Sequence, residues 1–131
     1  MLDVFLTALS LPLLAMNACA APAITHVIAT PISDNGNLSA YDLAITLKNS
    51  GDVNQPSSIL QSVIVYQDAT KVDQKGAQPL KAGSAETVHY RFSRSNQARM
   101  GSTHMRFQLI VRDPHEAVQD CGPGNTYRLD V

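Results

Sequence analysis

Hydrophobic and polar residues alternate in short runs along most of the chain, the period of two that belongs to strands with one buried face. The longest such run places Met105, Phe107, Leu109 and Val111 on one side, with Arg106 and Gln108 on the other. Leu43, Ile45 and Leu47 alternate with Asp42, Ala44, Thr46 and Lys48, and Val88, Tyr90 and Phe92 repeat the pattern within residues 87–92. Turn signals separate the runs. Asn35-Gly36 supplies the positive φ of a tight turn inside 33–37, Asn49-Ser50-Gly51-Asp52 stops the second run, and Asp68-Ala69-Thr70 follows the third. Residues 24–31 read as an edge strand ending at Thr30-Pro31, residues 59–67 as a third strand, 71–73 as a short edge and 126–131 as a closing strand; 93–103 reads as a polar connection. No sustained helical period follows Ala21. About seven strands in this order predict an all-β, immunoglobulin-like β-sandwich. Its expected core is Leu43, Ile45, Leu47, Val63, Val65, Val88, Tyr90, Phe92, Phe107, Leu109 and Val111.

The third strand departs from simple alternation, because Ile64 and Tyr66 make its second face apolar too. Such a strand is either central and covered or exposes one sticky face. If Val63, Val65, Phe107 and Leu109 point inward, then Ile64, Tyr66, Gln108, Ile110 and Arg112 share an outward surface. That surface is the candidate partner-binding site, unless the 93–103 connection folds over it.

With 131 residues there is room for one domain. Residues 5–16 form an apolar run broken by Thr7, Ser10 and Pro12, and Ala18-Cys19-Ala20 has the small-residue form of a signal-peptidase site. The expected organisation is a signal peptide over 1–20 and a sandwich over 21–131, exported to the periplasm or secreted. The amino-terminal region carries Asp3 and no Lys or Arg, which is atypical of a leader. Cys19 offers a rival route, lipidation and membrane anchoring, although Met16-Asn17-Ala18 is a poor version of that pattern. Removal of residues 1–20 would leave Cys121 as the mature chain's lone thiol, so a disulfide between the two cysteines is not expected on this reading.

A formal net charge of −1 with 16% charged residues does not suit a nucleic-acid or anionic-membrane binder. Arg91, Arg94 and Arg99 are the nearest approach to a basic cluster, and they read as a solvated turn. Asp113, His115, Glu116 and Asp120 crowd one loop. Oxygen-rich loops at sandwich ends can hold calcium, and Asp113, Glu116 and Asp120 are the candidate ligands, but the loop lacks a regular Asp-x-Asp spacing. No other cofactor is indicated. His26, His89, His104 and His115 share no spacing that would suggest zinc. Ser84, Ser93, Ser102 and Cys121 lie in no nucleophile context, so no catalytic residue is assigned and no enzymatic activity is expected.

The order of several short motifs resembles the CARDB family, the cell-adhesion-related domain found in bacteria. They are the strand Leu43 to Lys48 with Asn49-Ser50-Gly51, then Val65-Tyr66-Gln67-Asp68, Leu80-Lys81-Ala82-Gly83, Val111-Arg112-Asp113-Pro114 and Asn125-Thr126. The resemblance implies an immunoglobulin-like sandwich outside the cytoplasm that binds rather than catalyses. The family's acidic tail and double Asn are replaced here by Gln119-Asp120-Cys121-Gly122-Pro123-Gly124-Asn125. The expected function is an exported binding or adhesion module for a protein or cell-surface partner. The alternatives are a structural or assembly subunit, working by homo-oligomerisation or strand addition, and an inhibitor or chaperone-like partner of another exported protein.

Overall fold

The computed structural model describes residues 18–95, 102–114 and 124–131. Seven strands run β1 (Pro22–Asp34), β2 (Leu38–Asn49), β3 (Leu60–Gln67), β4 (Thr70–Ala77), β5 (Ala85–Ser95), β6 (His104–Arg112) and β7 (Thr126–Asp130). They form a three-stranded sheet, β1-β2-β5, facing a four-stranded sheet, β4-β3-β6-β7, and every pairing is antiparallel. This is the all-β, immunoglobulin-like sandwich of seven strands expected from the alternation.

The core lies between the sheets. Leu43, Ile45 and Leu47 from β2, Val63 and Val65 from β3, Phe92 from β5 and Phe107 and Leu109 from β6 are all buried, and Val88, Tyr90 and Val111 pack against them half-buried. Ile24, Val27, Leu80 and Met105 complete the cluster. Tyr41 and Tyr90 both stack on Phe92, with ring centroids 5.6 and 6.4 Å away. Burial raises the pKa of Tyr90, and the nearby charge of Asp73 adds to the effect.

Two elements are longer than the pattern suggests. β4 extends over eight residues rather than three, because its pairing with β3 is made by backbone groups that need no apolar side chains. β1 continues past Pro31 to Asp34, with register shifts between Ile24 and His26 and between Pro31 and Ser33; the second absorbs the proline. The β1–β2 turn is tight as expected: Gly36 has φ 91°, and the Asn35 side chain accepts hydrogen bonds from the N–H groups of Asn37 and Leu38.

Buried amides close the ends of the sandwich. Asn49 is wholly buried at the end of β2. Its Oδ1 accepts from the N–H of Ala21 and of Gly51, at 2.9 and 3.0 Å, and its Nδ2 donates to the carbonyls of Val53 and Leu80, at 2.9 and 3.1 Å. All four hydrogen-bonding capacities of the amide are therefore used. Cys19 joins the same clamp: its N–H donates to Asp52 and its carbonyl accepts from the Asp52 N–H. A side chain at Gly51 would overlap the Cys19 carbonyl, so only glycine permits this approach.

Cys19 and Ala20 are both buried, and Cys19 is disulfide-bonded. The expected boundary between residues 20 and 21 thus falls inside the clamp, and the expectation that Cys19 forms no disulfide is corrected. The chain's other cysteine, Cys121, lies outside the described residues, as do residues 1–17. A sulfur held in a disulfide carries no lipid, so this bond and the lipid-anchor alternative exclude one another. Among the described residues, no helix is long and apolar enough to cross a membrane.

Asn125 ties β1 to the opposite sheet. The Ile24 N–H donates to its Oδ1 at 2.8 Å and its Nδ2 donates to the Ile24 carbonyl at 3.0 Å, so one side-chain amide imitates a pair of ladder bonds between the sheets. Asn125→Ala is expected to lower stability by about 1–3 kcal/mol, the cost of leaving these part-buried groups without partners. Chemical denaturation checks the loss, and amide exchange should localise it to Ile24.

Candidate functional site

Antiparallel pairing places every second residue of β3 and β6 on the outer face of the four-stranded sheet, and the register decides which of them are neighbours. Ser62 lies opposite Ile110 on β6 and Gly76 on β4; Ile64 lies opposite Gln108 and Gln74; Tyr66 lies opposite Arg106 and Lys71; and Leu60 lies opposite Arg112. The structure therefore gathers Ile64, Tyr66, Gln108, Ile110 and Arg112 on one face. Leu60 and Ile110 are exposed, at 52% and 39% of their surface. They edge a shallow groove of about 640 Å³ that also takes in Ser62, Gly76, Pro79 and Arg112.

The other half of the face is basic. Arg106 lies 3.9 Å above the Tyr66 ring, a cation–π contact. Arg106 also stands directly opposite Arg128 on β7, while Lys71 flanks Tyr66 on β4. Neither arginine has a carboxylate partner among the described residues. Like charges placed opposite one another across a ladder are destabilising, so this row costs the free domain stability. Sequence reading missed it because positions 71, 106 and 128 come together only through strand pairing. Leu60 was missed for a different reason: it opens β3 beside Ile59, which is buried.

Beside this row, His104 Nδ1 lies 2.8 Å from Asp130, and that hydrogen bond, helped by the carboxylate's charge, raises the histidine's pKa above its ordinary value of 6.5. On the opposite sheet, Asp42 lies 3.0 Å from His89 and 3.9 Å from Arg91. The histidines on β1, β5 and β6 thus sit apart. Among the described residues, no group of three or more His, Cys, Asp and Glu side chains is placed to hold a metal ion. Of the candidate calcium ligands, Asp113 accepts a hydrogen bond from the Ser58 hydroxyl at 3.2 Å, and Glu116 and Asp120 lie outside the described residues.

No family model and no curated protein matches the chain. Among solved structures it is similar to the CARDB domain of a Pyrococcus furiosus protein in complex with di-metal ions, with TM-score 0.53 and 15% identity over 87% of this chain and 93% of that one. It is also similar to a putative β-galactosidase from Bacteroides fragilis, with TM-score 0.53 and 14% identity over 84% of this chain and 17% of that one. A β-glucuronidase of glycoside hydrolase family 2 matches with TM-score 0.50 and 10% identity, over 84% of this chain and 12% of the enzyme. The chain thus corresponds to a small fraction of either glycosidase and to nearly the whole of the CARDB domain. The fold is the CARDB-like, immunoglobulin-like β-sandwich that the order of the sequence motifs implies.

Proposed function

We propose that the protein is an exported, non-catalytic binding module whose outer β4-β3-β6-β7 face engages a protein or surface partner presenting both apolar and acidic groups. The observation that carries this reading is that one face carries exposed Leu60 and Ile110 toward one end and, toward the other, an arginine pair with no carboxylate partner among the described residues. An exposed apolar patch bordered by charge is the usual composition of a partner surface, and uncompensated arginines favour a partner that brings carboxylates. Export is supported by the disulfide at Cys19, since such bonds persist in oxidising compartments.

Arg128→Glu tests the reading. It replaces a cross-strand repulsion with an attraction, so the free domain is expected to gain about 0.2–1 kcal/mol. Capture of the partner from periplasmic or culture-supernatant fractions should be lost with this variant and also with Ile110→Glu. Retention of the same captured protein by both variants would falsify the assignment of this face.

A further inference from the structure

A sandwich of two open sheets has four edge strands, here β1 and β5 in one sheet and β4 and β7 in the other. Edge strands invite pairing with other chains unless something blunts them. Three of these edges are blunted. β1 contains Pro22 and Pro31 and two register shifts. β4 carries Lys71 and Lys75 and a register shift against β3, and β7 is only five residues long. β5 also carries charge, in Glu86, Arg91 and Arg94, but it is long and regular. Its 11 residues contain no proline and no lysine, and they pair with β2 from Leu38↔Ser95 to Lys48↔Ala85 without a shift. Beyond that ladder, residues 87–94 make no backbone hydrogen bond among the described residues.

The order of side chains along β5 fits a second copy of itself. Antiparallel pairing about a two-fold axis at Tyr90 sets Val88 against Phe92, Tyr90 against Tyr90 and Thr87 against Ser93, with His89 against Arg91 on the outer face. The same register sets Glu86 of each copy against Arg94 of the other. Within one chain Glu86 has no ion-pair partner among the described residues, while Arg94 donates to the oxygen of Val131 at 2.6 Å. One Glu86 oxygen accepts from the Gln78 N–H, and Arg94 uses one nitrogen on Thr103 and the Val131 carbonyl, so each has hydrogen-bonding groups left for a partner. A register that matches apolar with apolar residues and sets Glu86 against Arg94 twice is self-complementary, as an isologous contact must be.

We propose that β5 is a homodimerisation edge, joining the three-stranded sheets of two copies into one six-stranded sheet. This contact is independent of the β4-β3-β6-β7 face and leaves that face open. Sedimentation velocity on the purified chain is expected to show a concentration-dependent species of twice the 14.1 kDa monomer mass. Glu86→Arg and Arg94→Glu, each shown to be folded by circular dichroism, should each weaken association at least about tenfold by placing like charges together twice. An equimolar mixture of the two variants should recover it, because every introduced charge then meets its opposite. Should Arg94→Glu fail to fold, His89→Cys and Arg91→Cys, both at exposed positions, should form an intermolecular disulfide cross-link when mixed, because residues directly opposite are close enough to bridge while like positions lie diagonally about 7–8 Å apart. The proposal is overturned by a monomer at every concentration up to about 1 mM, by association that neither charge swap weakens, or by absence of the mixed cross-link.

Discussion

Phe107→Ala is expected to destabilise the domain by about 3–5 kcal/mol, against a total stability of about 5–15 kcal/mol for a domain of this kind. Phe107 is fully buried in the middle of β6, with Val65 of β3 and Tyr127 of β7 opposite it in the ladder. Its ring faces the core cluster that includes Leu43 and Ile45 of the other sheet. Truncation removes the transfer free energy of the ring and leaves a cavity. Small residues cannot move in to fill it, because backbone pairing on both flanks holds β6 in place. Thermal unfolding should show a fall in Tm of roughly 10–20 °C, scaled for this size of domain. A variant that melts within a few degrees of the parent would show that Phe107 does not face the core.

Asn49→Ala should cost a similar amount, about 3–5 kcal/mol, through a different mechanism. The change removes little apolar surface. It leaves the N–H groups of Ala21 and Gly51 and the carbonyls of Val53 and Leu80 without their shared partner at a wholly buried position. An unsatisfied buried polar group costs about 1–3 kcal/mol, and entry of water would recover part of the total. Asn49→Asp should rescue little at neutral pH, because a carboxylate oxygen would then face two carbonyls where the native amide donates to both. Denaturant unfolding measures the loss, and amide exchange at Ala21 and Gly51 should quicken first. An Asn49→Ala protein of parental stability would show that the clamp is not built as described.

These two residues mark what was legible in the sequence. Phe107 could be assigned from its neighbours alone: a pleated strand turns successive side chains to opposite faces, so Met105, Phe107, Leu109 and Val111 have to share one side. The same rule placed Leu43, Ile45 and Leu47 inward and left Ile64, Tyr66 and Ile110 outward. Asn35-Gly36 was readable for an equally local reason, since a tight turn needs positive φ and glycine supplies it. Asn49, by contrast, looked like one member of a polar turn. Its role depends on four backbone groups from 21 to 80 converging on one buried point, and no local pattern encodes that.

The disulfide at Cys19 was misread on similar grounds. Ala18-Cys19-Ala20 has the grammar of a cleavage site, and only the folded chain shows Cys19 and Ala20 buried against Asn49, Gly51 and Asp52. β4 was underestimated because an edge strand can be held by its backbone bonds to β3 while its side chains stay polar.

By itself, the sequence determined the fold class, the approximate number and the order of the strands and the inward face of β2, β3, β5 and β6, because all of these follow from a period of two and from turn chemistry within a few residues. The tertiary structure decided which outward faces lie together. Strand order and register brought Lys71, Arg106 and Arg128 into one row on the same face as Leu60 and Ile110, and left β5 at the edge of the three-stranded sheet. Those are relations between residues tens of positions apart, set by which strands pair and by how far each slides along its neighbour, and neither quantity is encoded in any local run of residues.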